Sequence, residues 1–121
     1  MKGVLVVGHG SRRKETELVL QSVVNMAQDE LLAEMPIEIA YMEFGERNIP
    51  AGLDVLVAGG VDEIAVVPYF LFDGVHIRED IPAALEQYKS ANPNIKLTMG
   101  SPLGEDPRLA AILVDRIMEI V

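Results

Sequence analysis

The sequence predicts an α/β domain in which helices cover both faces of a four-stranded parallel sheet. Three observations lead to this fold class. Four short apolar runs alternate with four segments of helical periodicity, an order typical of domains built on a parallel sheet. The first run, Gly3–Gly8, is rich in β-branched residues and ends in glycine, which is typical of a strand buried on both faces. The 121 residues fit a single domain, which we expect to extend over residues 1–121.

The first helix and the second strand are marked by periodicity and by proline. Apolar residues recur at helical spacing and predict a helix from Arg12 to about Met35. These residues are Leu20, Val23, Val24, Ala27 and Leu31. Pro36 ends the helix, because a residue before proline is disfavoured in the α conformation. Ile37–Met42 is the second predicted strand.

The rest of the chain repeats this alternation. Asp80 is predicted to cap the third helix, which has Pro82 in its first turn, and Asp106-Pro107 opens the last helix. The remaining predicted elements are the helix Ile49–Gly59, the strand Ile64–Val67, the end of the third helix near Ala91 and the strand Ile95–Met99. The last helix has an apolar face made of Leu109, Ile112, Leu113, Ile117 and Ile120. This order predicts a flavodoxin-like three-layer sandwich.

Composition excludes several classes of function. The chain has 10 Lys and Arg against 19 Asp and Glu, a formal net charge of −9, which argues against nucleic-acid and anionic-membrane partners. It has no cysteine, so disulfides, thiolate zinc sites and Cys-ligated iron–sulfur clusters are excluded. No apolar run approaches the roughly 18–20 residues of a membrane span, and the opening residues do not predict a signal peptide. We therefore expect a cytoplasmic protein.

The two histidines of the chain both follow predicted strands. Ligands of parallel sheets bind beyond the carboxyl ends of the strands, where His9 follows the first strand and His76 lies in the loop after Pro68. Neutral imidazole suits divalent ions such as cobalt, nickel, iron or zinc, and its ordinary pKa suits proton abstraction near neutrality. Each histidine is alternatively an ordinary polar residue.

Polar residues in the neighbouring loops are candidate ligand contacts. Ser11 and Arg12 lie at the start of a predicted helix whose free N–H groups favour an anion, although a solvated helix start explains them equally well. Glu43 and Glu46 flank the end of the second strand and suit metal binding or proton acceptance. They are alternatively solvated loop charges or partners of Arg47 in an ion pair. The phosphate-binding glycine and Walker motifs are absent.

The segment between Pro68 and His76 is unusually apolar for a loop. Tyr69, Phe70, Leu71 and Phe72 follow one another directly, with one charged residue before His76. Surface loops seldom carry such a run. We interpret it as a wall for a flat hydrophobic ligand. The alternative is that these residues continue the strand into the core.

Four segments together resemble the short, single-domain sirohydrochlorin chelatases, which are class II tetrapyrrole metallochelatases. The likeness extends over nearly the whole chain, and its most specific motif is Pro-x-Phe-Leu-x-x-Gly-x-His at Pro68–His76, followed by Asp80-Ile81-Pro82. The segments are Gly8–Arg12, Met42–Phe44, Val66–Leu85 and Pro102–Leu109. The resemblance implies insertion of Co²⁺, Ni²⁺ or Fe²⁺ into sirohydrochlorin without ATP, in cobalamin, coenzyme F430 or sirohaem synthesis. The metal is then a substrate, and no organic cofactor is expected.

The resemblance also implies a role for individual residues. His9 binds the metal and accepts a pyrrole proton, His76 is the second metal ligand, and Glu43 assists catalysis. Glu46 is the acidic substrate contact. The macrocycle is contacted by the segment of Leu71, Phe72, Asp73, Gly74, Val75 and His76. Because long members of the family contain two such domains, we expect this chain to form a two-fold homodimer.

The carboxylates of sirohydrochlorin are repelled by a protein with a net charge of −9. We therefore predict that local positive charge from Arg12, Arg13, Arg47 and Arg78 faces the mouth of the site. Two other functions remain open at this point. One is a non-catalytic carrier of metal or tetrapyrrole, and the other is a flavodoxin-like phosphate-binding module.

Overall fold

The computed structural model describes residues 1–31 and 34–121. It contains a four-stranded parallel sheet with the strand order β2-β1-β3-β4, which confirms the predicted fold class. The strands are β1 (Lys2–Gly8), β2 (Ile37–Tyr41), β3 (Glu63–Pro68) and β4 (Lys96–Met99). The helices are α1 (Lys14–Glu30), α2 (Ile49–Ala58), α3 (Ile81–Ala91) and α4 (Pro107–Met118).

The main core lies between one face of the sheet and the helices α2 and α3. Alternate residues of β1 and β3 point to this face, as the two-residue period of strands requires. Leu5, Val7 and Val66 are fully buried there. They pack with Leu53 of α2 and Ile81 of α3, which are also fully buried. This face therefore anchors the carboxyl ends of β1 and β3, from which the loops with the two histidines emerge.

The opposite face carries α1 over β1 and β2. Leu20 and Val24 are the buried residues of α1 and pack with Tyr41 of β2. The predicted start at Arg12 and the predicted end near Met35 are both wrong, because α1 begins at Lys14 and ends at Glu30. Residues 32–33 of the predicted helix lie outside the described residues. Only part of the predicted stripe is buried, since Val23, Ala27 and Leu31 are exposed.

The predicted capping role of Asp80 is wrong. Asp80 has helical backbone angles, φ −71° and ψ −48°, and its side chain makes no capping hydrogen bond. A five-residue π-helical turn, His76–Asp80, instead leads directly into α3. The polar group of Asp80 is thereby free for another contact, described below.

The last helix is exposed along nearly its whole length. In the described structure α4 contributes no buried residue, and Ile112, Leu113 and Ile117 are 48%, 61% and 45% exposed. The apolar face predicted from the sequence is present, yet within this one chain it does not enter the core. None of the helices in the described part of the chain combines the length and apolar composition needed to cross a membrane.

Candidate active site

The loops after β1 and β2 are joined by backbone hydrogen bonds. Beyond the paired strands, Met42 N–H donates to the Gly8 carbonyl over 2.9 Å, and Glu43 N–H donates to the His9 carbonyl over 3.0 Å. Gly10 has a φ of +100°, and a Cβ at this position would clash with the Glu43 carbonyl oxygen. Glycine is therefore required here, because side-chain-bearing residues rarely adopt this conformation. The close approach fixes His9 beside Glu43.

His9 and Glu43 form the first of two imidazole–carboxylate pairs. The Nε2 atom of His9 lies 3.0 Å from Oε1 of Glu43. The side chains are 56% and 53% exposed, so the pair is open to a ligand and to water. An ionised carboxylate only accepts hydrogen bonds. Nε2 of a neutral His9 therefore carries the proton, and Nδ1 keeps its lone pair.

His76 and Asp80 form the second pair. Nδ1 of His76 lies 2.7 Å from Oδ2 of Asp80, four residues along the same turn. Donation from Nδ1 leaves Nε2 of a neutral His76 with the free lone pair. Asp80 was missed as a site residue because its position before Pro82 indicated a cap. The i, i+4 spacing from His76 is the signal that identifies it, since such residues share a helix face.

The two imidazoles lie side by side at the carboxyl edge of the sheet. Their ring centroids are 5.2 Å apart. A metal bound about 2.1 Å from an imidazole nitrogen lies about 3.2 Å from the ring centroid, so two rings on one tetrahedral ion have centroids about 5 Å apart. The spacing therefore fits one shared ion. Within residues 1–31 and 34–121, no three His, Asp or Glu side chains cluster as a ready metal site.

An exposed apolar segment leads to the histidine pair. Leu71, Phe72 and Val75 are 51%, 81% and 64% exposed, so these residues do not continue β3 into the core. Phe70 is half-buried against the core, and its ring centroid lies 6.4 Å from that of His9 and 6.1 Å from that of His76. The predicted apolar surface is therefore present beside both histidines.

A second group of predicted residues lies in the loops after β1 and β2. Ser11, Arg12 and Glu46 line a cleft of about 410 Å³ together with Phe44. The Arg12 guanidinium lies 4.8 Å from the centroid of the Phe44 ring, within the range of a cation–π contact. Phe44 has a φ of +53°, an uncommon conformation for a bulky residue. Composition gives no signal for this strained turn.

The four arginines do not form the predicted group. Arg12 is exposed above the Phe44 ring. Arg78 lies on the π-helical turn that begins at His76, and its Nε atom is 3.3 Å from Asp73. Arg13 is paired with Glu15. Arg47 turns along β2 toward Glu38, 3.6 Å away. The sequence placed the arginines in the correct loops, but local carboxylates determine their orientation.

A buried tyrosine lines the same cleft as His9. Tyr41 is buried at the end of β2 and shares an apolar cleft of about 340 Å³ with His9 and Tyr69. Burial raises the pKa of the Tyr41 hydroxyl, and the negative charges of Glu17 and Glu46 add to this effect. The phenol therefore stays uncharged near pH 7 and adds no charge to the cleft beside His9.

The sequence as a whole matches one family. The CbiX family model matches residues 3–120. The chain belongs to the CbiX family. It is 35% identical to the sirohydrochlorin cobaltochelatase of Sulfurisphaera tokodaii, with 100% of this chain and 95% of that protein covered. It is 33% identical to the sirohydrochlorin cobaltochelatase of Methanothermobacter thermautotrophicus, with 98% and 92% covered.

A solved structure has the same fold. The sirohydrochlorin chelatase SirB from Bacillus subtilis subspecies spizizenii, solved in complex with cobalt, matches with a TM-score of 0.90 and 30% identity. The match covers 98% of this chain and 50% of the SirB chain. The resemblance read from the sequence is thereby confirmed, and this CbiX-family chain corresponds to half of the longer relative.

Proposed function

We propose that this chain inserts a divalent metal ion, Co²⁺ in the first place and Fe²⁺ or Ni²⁺ as alternatives, into sirohydrochlorin without ATP or an organic cofactor. One observation carries the proposal. Two imidazoles lie 5.2 Å apart at the carboxyl edge of a parallel sheet, and each is paired with its own carboxylate. The relatives named as sirohydrochlorin cobaltochelatases support this substrate, and SirB supports cobalt as the metal.

The metal ion enters as a substrate held between the two rings. His76 offers Nε2, because Asp80 accepts the proton of Nδ1. His9 offers Nδ1, because Glu43 lies against Nε2. Two protein ligands leave several coordination positions free, which the pyrrole nitrogens then occupy as the ion is transferred. The half-exposed side chains allow the ion to enter hydrated and to lose its water stepwise.

Proton balance defines the role of Glu43. Insertion of a divalent ion replaces two pyrrole N–H protons, so two protons must leave for each metal inserted. His9 accepts a proton at Nδ1 once the ion has left that nitrogen, and Glu43 accepts the Nε2 proton. Because Glu43 is 53% exposed, it returns this proton to water. The second pyrrole proton leaves by the same route in a second transfer.

The macrocycle lies on the exposed apolar segment. Leu71, Phe72 and Val75 offer side chains that are largely in water in the free protein, and covering them with a flat ligand is favourable. Asp73 and Gly74 connect them in the same loop. Ser11, Arg12 and Glu46 contact the edge of the macrocycle, where the Arg12 charge attracts its carboxylates.

We also propose that residues 1–121 form one domain and that two copies form a homodimer. A single copy presents its histidines on an open edge. SirB contains about twice the matched length, so a second copy gives a comparable amount of protein around the macrocycle. Two-fold symmetry is the usual arrangement of such pairs.

The test is anaerobic absorbance spectroscopy of sirohydrochlorin with catalytic amounts of protein and Co²⁺, Ni²⁺ or Fe²⁺. We expect many turnovers per protein, lost in His9→Ala and in His76→Ala and kept in Gln87→Ala, an exposed change on α3. Stoichiometric binding without turnover would indicate a carrier. Absence of any spectral change would refute the tetrapyrrole site itself.

A further inference from the structure

The turn that carries Glu46 has an uncommon backbone conformation. Phe44 and Gly45 follow one another with φ values of +53° and +62°, and a Cβ at Gly45 would clash with the Tyr41 ring. The Tyr41 N–H donates to the Arg47 carbonyl over 2.8 Å, which closes the turn onto the end of β2. A bulky residue at positive φ persists only where surrounding contacts fix it. The turn therefore depends on its anchors.

A carboxylate from α1 provides one of these anchors. The backbone N–H of Glu46 donates to Oε1 of Glu17 over 3.1 Å, across 29 positions of sequence. The Glu17 side chain is only 16% exposed, and Nζ of Lys14 lies 3.8 Å from its other oxygen. Glu15 belongs to the same first turn of α1, yet it is 69% exposed and faces Arg13. Because burying a carboxylate is unfavourable unless it accepts hydrogen bonds, the contact with Glu46 accounts for the buried position of Glu17.

The same contact separates the backbone of Glu46 from its side chain. The negative charges of Glu17 and Glu46 both raise the pKa of the Tyr41 hydroxyl, so the two carboxylates lie near the same group. Like charges repel each other, and the Glu46 carboxylate is 68% exposed. Glu17 thereby holds the Glu46 backbone toward α1, while the Glu46 carboxylate remains available in the cleft that it shares with Arg12.

We propose that Glu17 is a positioning residue that sets the affinity for sirohydrochlorin by fixing the Glu46 turn. This inference rests on the proposed function, in which Glu46 contacts the edge of the macrocycle. Glu43, at the start of the same loop, has its own backbone hydrogen bond to the His9 carbonyl. Loss of the Glu17 contact therefore weakens substrate binding and leaves the metal ligands and proton removal in place.

Titration of the protein with metal-free sirohydrochlorin, followed by absorbance, tests the proposal. We expect Glu17→Ala to raise the Kd about three- to tenfold, with kcat at saturating substrate and the Kd for Co²⁺ unchanged. Glu17→Gln keeps an oxygen that accepts the Glu46 N–H, so it should restore most of the affinity. Glu15→Ala is the matched control, because it removes the same charge from the same turn of α1 without touching the loop.

A double-mutant cycle with Glu46→Ala shows whether Glu17 acts through Glu46. Once the Glu46 carboxylate is absent, its position no longer matters, so Glu17→Ala should add little to the Kd of Glu46→Ala. A general loss of stability would not produce this non-additive result. Urea denaturation of each variant establishes that the protein is folded under the conditions of the titration.

The outcomes separate this inference from the proposed function. A raised Kd that glutamine reverses and that is non-additive with Glu46→Ala supports the positioning role. An unchanged Kd in Glu17→Ala, a rise that glutamine does not reverse, or additive effects overturn the inference and leave the chelatase standing. Binding without turnover overturns the chelatase alone, because the comparison of Kd values needs no turnover. Failure of the unmodified chain to bind sirohydrochlorin overturns both.

Discussion

The two imidazole–carboxylate pairs of the site are built in opposite ways. His76 and Asp80 are four residues apart in one helical turn, so local geometry alone brings them together. His9 and Glu43 are 34 positions apart and meet only because β1 and β2 are neighbours in the sheet. The first pair needs a turn of helix, and the second needs the folded sheet.

This difference suggests a division of labour. A carboxylate fixed beside His76 on a short turn holds the ring in one tautomer and orientation, as carboxylates behind metal-bound histidines do. Glu43 is half exposed at the junction of two loops, where it exchanges protons with water. We therefore expect the local pair to govern metal affinity and the non-local pair to govern proton removal.

Among the variants that distinguish the two pairs, Glu43→Gln is expected to have the largest effect. Glutamine keeps the shape of the side chain and cannot accept the proton of His9. We expect kcat for metallation to fall about 10²–10⁴-fold, with the Kd for Co²⁺ nearly unchanged. Steady-state kinetics and a Co²⁺ titration measure the two quantities, and Glu86→Gln, an exposed change on α3, is the matched control. A large loss of Co²⁺ affinity in Glu43→Gln would contradict the division.

The opposite pattern is expected of Asp80→Ala. Without the carboxylate, the His76 ring loses its hydrogen-bond partner at Nδ1, and we expect Co²⁺ affinity to fall about 10–100-fold. At saturating metal, kcat should change much less. Glu79→Ala, an exposed change on the same turn, is the control. Equal losses in kcat and in metal affinity would show that Asp80 has a broader structural role.

Sequence reasoning placed both residues of the non-local pair at one edge of the sheet, without predicting their contact, and missed the local pair. Glu43 and His9 were both assigned because parallel strands gather their carboxyl-end loops at one edge. Asp80 was assigned to a helix cap because Asp before Pro82 matches that pattern. The π-helical turn instead buries Ile77 and leads into the buried Ile81, an arrangement that no local sequence pattern indicates.

The position of α4 is a second feature that local sequence patterns do not determine. Its amphipathic pattern predicts an apolar face, and that face exists. A sequence pattern does not state which surface covers it, whether in the same chain or in another. The buried residues of β1 were predictable, because a short β-branched run ending in glycine is typical of a central strand of a parallel sheet.

A smaller effect is expected of Gly10→Ala, which breaks only the non-local pair. Alanine at a φ of +100° is strained, and its Cβ meets the Glu43 carbonyl oxygen, so the two loops must separate. We expect the free energy of unfolding to fall by about 1–3 kcal/mol and kcat to fall with it, while Co²⁺ binding through His76 persists. Urea denaturation and the titration used above provide both readouts. Gly59→Ala at the end of α2 is the control, because its φ is −83° and a Cβ there makes only ordinary contacts at 3.4 Å or more.

The smallest effect is expected on the apolar segment that both pairs share. Phe72 is 81% exposed in the free protein, so Phe72→Ser removes no core packing and leaves the free energy of unfolding unchanged. Partial burial of such a side chain by the ligand contributes about 1 kcal/mol to binding. Its loss in Phe72→Ser should raise KM for sirohydrochlorin several-fold, with kcat and Co²⁺ affinity constant. Val121→Ser, an apolar position beyond α4 that is 91% exposed, is the control for KM. If Phe72→Ser lowered kcat and left KM unchanged, the segment would act on the pairs themselves, and binding and chemistry would no longer be assigned to separate parts of the site.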